Sequence, residues 1–332
     1  MKKKSALVLN ESSAGRIYGS REMEEIRELT DLLDGVVTQD VLESEPMILH
    51  DVELIFSGWG APVFDDVLLK RIPKLEAVFY GAGSIRGIVT PEFWDSGITI
   101  TSSWAANAVP VTEFVVAQIT LSLKKFWQSS WIKSRASWAS HPDTSGMYDT
   151  KIGLISLGMI GRMVAERLKS YDVEVLAYDP FVNQETADKR GLGVRMVSLV
   201  ELFSECDVVS LHTPNLPTTK NMITGDLILS IKQSATFINT ARGAVVDETG
   251  LISALAERPD IFALLDVTDP EPPLDGSALY ELPNVILSPH IAGSQGPECR
   301  RMGRYTIDQC RKYLAGEDLD WKISQTMSET MA

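Results

Sequence analysis

Residues Lys151 to Pro180 read KIGLISLGMIGRMVAERLKSYDVEVLAYDP, and their order points to the fold. Ile152 to Leu157 is a short apolar run. Gly158 and Gly161 follow closely, and Met163, Val164 and Leu168 then recur at helical spacing. A second apolar run, Val173 to Tyr178, ends in Asp179. This is strand, tight turn, helix and strand, with a carboxylate at the tip of the second strand. In a dinucleotide fold the glycines let the backbone approach a pyrophosphate at the helix N-terminus. The acid, roughly 20 residues on, takes the ribose hydroxyls. An ordinary βαβ crossover is the alternative, and the acid added to the glycines favours the nucleotide.

Two positions depart from the usual pattern. Ser156 stands where the first glycine is expected, so the turn places a side chain where glycine is preferred. Asp179 is followed by Pro180 and Phe181, with no adjacent cation. A carboxylate there repels a 2′-phosphate, so NAD is favoured over NADP.

A chain of 332 residues suggests about two domains. At 44% hydrophobic and 23% charged residues it is large enough for two cores. A net charge of −14 argues against nucleic acid, which needs a concentrated basic surface. The opening MKKKSALVLN is basic, but its apolar run is too short for a signal peptide and reads as a first strand. No apolar stretch is expected to approach the roughly 18 residues that span a bilayer. Cys206, Cys299 and Cys310 are scattered, odd in number and without metal-ligand spacing. Reduced thiols, a cytoplasmic location and no metal site are the expectation.

Ahead of the nucleotide unit, strands are expected at Ala6–Asn10, Leu54–Ser57, Leu75–Tyr80 and Ile98–Thr101, with a helix over Glu22–Leu33. Two of the strands reach glycine turns, Gly58-Trp59-Gly60 and Gly81-Ala82-Gly83. A long apolar helix is expected from about Val109 to Phe126, with Pro110 in its first turn. Trp127, Trp131 and Trp138 read equally as core or as a protomer interface. Behind the nucleotide unit come an extended stretch Leu192–Val197 and strands Val208–Leu211, Thr236–Asn239, Phe262–Leu265 and Val285–Leu287. Helices fall between them at Leu199–Ser204, Asp226–Ile231 and Glu248–Leu255, and a last helix covers about Pro297–Leu314. Alternating strands and helices give parallel sheets, with ligands beyond the carboxyl ends of the strands. The fold class is therefore α/β, with two doubly wound Rossmann-like domains. Residues 104–294 form an NAD-binding domain inserted in a smaller flavodoxin-like substrate domain of 1–103 and 295–332, leaving a cleft.

Three strand ends deliver Arg242, Glu271 and His290. Singly, Arg242 reads as a surface ion-pair arginine, Glu271 as a solvated loop acid and His290 as a core or loop histidine. Arriving together they fit reduction of a 2-keto acid. Arg242 grips the carboxylate with two hydrogen bonds and polarises the ketone. His290 gives a proton to the carbonyl oxygen as hydride arrives. Glu271, beside His290, fixes its tautomer. His212 also ends a strand, before a Pro214…Pro217 loop that reads as a cover over the cofactor. His50 and His141 carry no role.

With these motifs in order, the chain resembles the D-isomer-specific 2-hydroxyacid dehydrogenases over nearly its whole length. The likeness rests on Gly81-Ala82-Gly83, Ala106-Asn107-Ala108, Gly158-Met159-Ile160-Gly161 with Asp179, and Asn239-Thr240-Ala241-Arg242-Gly243. Asp266-Val267 with Glu271-Pro272, and Ser288-Pro289-His290-Ile291-Ala292-Gly293, complete it. The resemblance implies Arg242, Glu271 and His290 as the catalytic set. It implies backbone amides of Ala82 and Gly83 as substrate-carboxylate donors. It further implies NAD (NADH) contacts at Gly158, Met159, Ile160, Gly161, Asp179, His212, Thr213, Thr240, Ala241, Asp266 and Gly293. A homodimer through the NAD-binding domain is also implied.

Departures from the family bear on substrate. Ile85-Arg86 replaces the usual Asp-Asn pair, which opens room for, or attracts, an anionic or bulkier tail. Met159 takes the place of a frequent pyrophosphate arginine, for which Arg162 is a candidate substitute. Trp59 offers an apolar wall where members that bind phosphorylated acids tend to place an arginine. Glu271 weighs against a formate dehydrogenase, which pairs its histidine with glutamine. The short polar end, Ser324 to Ala332, weighs against a corepressor-like sensor of the same fold.

Overall fold

The computed structural model describes residues 2–130, 132–139 and 143–331, so Trp131 and His141 lie outside the described residues. Two parallel sheets organise the chain. The first contains β1 (Lys4–Val8), β2 (Asp31–Val37), β3 (Leu54–Ser57), β4 (Ala77–Tyr80) and β5 (Thr99–Ser102), in the order β2-β1-β3-β4-β5. The second contains β6 (Tyr148–Ile155), β7 (Asp172–Tyr178), β8 (Arg195–Met196), β9 (Val208–Leu211), β10 (Thr236–Asn239), β11 (Phe262–Leu265) and β12 (Val285–Leu287). Their order is β12-β11-β10-β9-β6-β7-β8. The first order is flavodoxin-like and the second Rossmann-like, and each reverses beside its first strand, where such sheets bind ligands.

The chain divides into two compact units. One is built from residues up to Ala108 together with Ser294–Met331, the other from Val109–Gly293. The helix Trp104–Leu123 runs through the division. Strands β3, β4, β9, β10 and β11 are buried at every residue. Strands buried on both faces lose the polar alternation of half-exposed ones: β4 and β11 are apolar throughout, and β3, β9 and β10 add only Ser57, Ser210, Thr236 and Asn239. Phe237 of β10 is fully buried, which contributes about 2–3 kcal/mol relative to exposure.

Several sequence expectations are corrected. The helix expected over Glu22–Leu33 is Ser20–Leu29, and the chain turns at once into β2. The Thr30 hydroxyl donates to the Ile26 carbonyl and meets Ser5 Oγ at 2.7 Å, while the Asp31 amide pairs with Lys3. Leu32 and Leu33 then pack on opposite apolar clusters, the alternation of a strand. Pro110 lies in the interior of Trp104–Leu123, because that helix starts five residues before the expected position. There it withholds the amide that would bond the Ala106 carbonyl. This helix is also long and apolar enough to cross a membrane, contrary to the expectation that no stretch is; half of it is buried, with Val111, Val115, Ile119 and Leu123 in the core of the second unit. Of the tryptophans, Trp127 packs on that core and Trp138 is 72% exposed. The extended stretch at Leu192–Val197 contracts to β8.

Candidate active site

The turn after β6 carries the first functional feature of the second unit. Ser156 adopts φ +78°, a left-handed conformation costing a residue with a Cβ roughly 1–2 kcal/mol. Its amide is bonded to the Tyr178 carbonyl at 2.7 Å. Gly158 is the N-cap of the helix Met159–Leu168 and supplies no capping side chain. The first amides of that helix therefore remain for a ligand. Gly161 cannot be enlarged: a Cβ would stand 2.1 Å from the Ser156 carbonyl oxygen. Helix and turn approach backbone to backbone at that point.

Asp179, at the end of β7, closes the same turn. One carboxylate oxygen accepts the Leu157 amide at 2.8 Å, with Ser156 Oγ at 3.5 Å, and the other accepts the Phe181 amide at 2.8 Å. The oxygen that accepts only the Phe181 amide retains a lone pair for a ribose hydroxyl. Arg162 Nε donates to the Gly158 carbonyl at 3.2 Å, which ties its side chain to the same turn.

Next to β6, β9 ends at His212 and Thr213, and β10 ends at Thr240. All three residues are buried, and both His212 ring nitrogens and both threonine hydroxyls lack a protein partner. Burial pushes the His212 pKa down to about 4, so the ring is neutral. Buried polar atoms without partners are costly. Their grouping at the carboxyl ends of β9 and β10, beside an open helix N-terminus and a fixed acid, fits a large polar ligand such as a dinucleotide.

The three charged candidates lie in this same unit. Arg242 is held by Asn239, buried at the end of β10, whose Oδ1 accepts the Ala241 amide at 3.0 Å and whose Nδ2 donates to the Arg242 carbonyl at 3.2 Å. Arg242 Nη1 donates to the Ala241 carbonyl at 2.6 Å, leaving the other guanidinium donors for a ligand. Burial lowers the arginine's pKa, and the Glu271 charge opposes the shift. The following residue, Gly243, packs backbone to backbone on the next loop: a Cβ there would lie 2.0 Å from the Thr268 carbonyl carbon. Glu248 Oε2 accepts the Asp269 amide of that loop at 3.2 Å, and burial raises the Glu248 pKa.

Glu271 and His290 meet directly, with His290 Nδ1 2.6 Å from Glu271 Oε1. A carboxylate only accepts, so Nδ1 donates and Nε2 is the nitrogen left to exchange a proton. His290 sits at φ +53°. Asp266, 3% exposed at the end of β11, holds it there. Its carboxylate accepts Ser288 Oγ at 2.5 Å and the Ile291 and Ala292 amides at 2.9 Å each, and its carbonyl accepts the His290 amide at 2.9 Å. Asp266 Oδ1 is used twice and Oδ2 once by the loop that carries the histidine, so Oδ2 keeps an acceptor position. The sequence reading missed Asn239, Gly243 and Ser288 as individual residues, although each lies within a quoted motif. A buried polar residue closing an apolar strand was the available signal.

Among the sequence-predicted residues of the first unit, Trp59 is half-buried against two apolar clusters, and Ala82 and Gly83 form the turn after β4. Arg86 is exposed, and its amide meets Ser84 Oγ at 3.5 Å. Among the described residues, no group of three or more His, Cys, Asp or Glu could hold a metal ion. A cavity of about 690 Å³ opens at the opposite edge of the second sheet, where the strands β6 and β7 begin, and lies away from these groups.

Fold and strand-end groups together define a dinucleotide-binding α/β protein. The chain belongs to the D-isomer specific 2-hydroxyacid dehydrogenase family, whose NAD binding domain matches residues 116–292, more than half of its length. It is 31% identical over 254 residues to the (S)-sulfolactate dehydrogenase of Chromohalobacter salexigens, covering 75% of this chain and 81% of that one. It is 28% identical over 298 residues to the D-3-phosphoglycerate dehydrogenase of Methanocaldococcus jannaschii, covering 89% of this chain and 55% of that one. The chain thus spans about half the length of the D-3-phosphoglycerate dehydrogenases it matches. The fold is shared with Rhodotorula graminis D-mandelate dehydrogenase at a TM-score of 0.79 and 19% identity, covering 98% of both chains. It is shared with an NAD-complexed D-isomer specific 2-hydroxyacid dehydrogenase of Lactobacillus delbrueckii ssp. bulgaricus at 0.77 and 22%, covering 97% and 100%.

Proposed function

We propose that the protein is an NAD-dependent dehydrogenase that interconverts a D-2-hydroxy acid and its 2-keto acid. The observation that carries this reading is the 2.6 Å contact between His290 Nδ1 and Glu271, with Arg242 in electrostatic reach of the same carboxylate. Bound NADH supplies the hydride. The chain's own groups manage charge and proton: Arg242 offers paired donors to the substrate carboxylate and polarises the ketone. His290 delivers a proton from Nε2 to the carbonyl oxygen, and takes it back in the oxidation direction. Glu271 holds the ring in the tautomer that leaves Nε2 for this exchange. Formate has no hydroxyl proton to remove and needs no such pair.

Two of the relatives are named for acids that carry a second anionic group, phosphoglycerate and sulfolactate. In the first unit, Arg86 is the candidate reader of such a group and Trp59 the candidate apolar wall. The three cysteines are free and buried, which fits a reducing compartment such as the cytoplasm. The deciding experiment is NADH oxidation against glyoxylate, pyruvate, hydroxypyruvate, phosphohydroxypyruvate, sulfopyruvate and phenylpyruvate, with His290→Ala and NADPH in parallel. Turnover of one acid with NADH, lost in the variant, is the expected result. Silence across the panel with NADH still bound would sink the catalytic reading and favour a nucleotide sensor.

A further inference from the structure

We infer that Ser102 is a positioning residue for the substrate's carboxylate, locking the Ala82–Gly83–Ser84 backbone so that two successive amides face one side as an anion nest. The inference rests on the dehydrogenase reading above. β4 and β5 pair with Tyr80 opposite Ser102, which brings Ser102 alongside the turn that follows β4. Ser102 is 2% exposed. Its Oγ lies 2.9 Å from the Ala82 carbonyl oxygen and 2.5 Å from that of Gly83, and it accepts the Trp104 amide at 3.2 Å. One hydroxyl proton is thus shared by two carbonyls while an oxygen lone pair is used by the helix start.

In a trans peptide the C=O and the next N–H point opposite ways. Gathering the Ala82 and Gly83 carbonyls on one hydroxyl therefore turns the amides of Gly83 and Ser84 together to the far side. Successive backbone N–H groups on one side make an anion-binding concavity. Among the described residues neither amide meets an intramolecular acceptor. The resemblance to the family implies Ala82 and Gly83 as donors; among the described residues the Ala82 amide likewise meets no intramolecular acceptor, and this geometry adds the Ser84 amide to that pair.

Ser102 is itself held from behind. Its amide donates to the Trp321 carbonyl at 3.1 Å, and Ile323 pairs with Ile100. The buried Gln309 accepts the Trp321 amide at 3.1 Å and donates to Asp320 at 3.1 Å. The Trp321 ring stacks on Tyr305 at 5.7 Å and meets Trp104 edge-on at 6.1 Å. A segment near the end of the chain thus braces the serine that shapes the turn.

The test compares wild type with Ser102→Ala, Ser102→Cys and Ser102→Thr. Three quantities are measured: NADH affinity by fluorescence, affinity of the NADH complex for oxamate, and kcat and KM for the best 2-keto acid. Ser102→Ala should raise the oxamate Kd and the substrate KM about tenfold, leave the NADH Kd within about twofold, and be rescued by Ser102→Thr. Ser102→Cys keeps the volume with a poor donor and should behave like the alanine variant, which covers the case in which alanine fails to fold. Unchanged oxamate and substrate constants in an active enzyme would overturn the inference alone. Parallel loss of NADH affinity would do the same, since it marks a general structural role. A wild type that binds NADH but neither oxamate nor any 2-keto acid would overturn the underlying reading and the inference with it.

Discussion

At the scale of single residues, the candidate site depends on how each charged side chain is held. Arg242 spends one nitrogen on its neighbour's carbonyl and keeps a planar fork for a carboxylate. Arg242→Lys preserves the charge but not the fork, so kcat/KM should fall roughly 100-fold or more, measured by steady-state kinetics. Unchanged turnover would remove Arg242 from the mechanism. His212 acts on stability instead. Its folded pKa is depressed by burial to about 4 from an ordinary 6.5. The unfolded chain therefore binds the proton first as pH falls. The stabilising effect of the neutral ring is complete above pH 6.5 and is lost between 6.5 and 4. At pH 4.5 the loss is on the order of 2–3 kcal/mol. Urea unfolding of wild type and His212→Gln at pH 7 and 4.5 should show a smaller drop in the variant; parallel drops would contradict the assignment.

At the scale of elements, loops are set by backbone approach more than by side chains. Gly243 brings the loop bearing Arg242 onto the turn that leads to Glu271, with no room for a methyl group beside Thr268. Gly243→Ala should destabilise by about 2–4 kcal/mol. It should also lower kcat/KM in the molecules that remain folded, because the two loops must separate. Urea unfolding with m-values, alongside kinetics, checks both. A stable and fully active Gly243→Ala would show that the approach can relax without cost. Elements also explain which parts of the chain could be read in advance. The limits of β3, β9, β10, β11 and β12 follow from short, mostly apolar runs, since strands buried on both faces admit only a few small or polar residues such as Ser57 and Ser210. β2 escaped that logic: an edge strand with the sequence DLLDGVV continues the helical spacing of the residues before it.

At the scale of the whole molecule, we propose a homodimer through the NAD-binding unit. Exposed aromatic side chains at Trp138 and Tyr148, each 72% accessible, belong to that unit and support the proposal. Light scattering coupled to gel filtration should give about twice the 36.6 kDa chain mass. Trp138→Glu should shift the population towards monomer with NADH affinity retained. A monomer in the wild type would refute the proposal. The net charge of −14 is long-range and screened over about 10 Å at 0.1 M salt, so any effect on association should fade as salt rises.

Local chemistry was written in the order of residues. Glycines at 158 and 161, an acid at 179, and charged residues after successive apolar runs follow from spacing alone, because a strand end and a helix start are defined by a few neighbours. Long-range geometry was not. That Asp266 holds the His290 loop from 22 to 26 residues away, or that Trp321 braces Ser102, depends on which strands lie side by side. Sequence periodicity reports the face a residue takes, not the partner it meets. The same limit applies to Ser156: the sequence shows a serine in a glycine place, and only the folded turn reveals that the serine itself adopts the left-handed conformation.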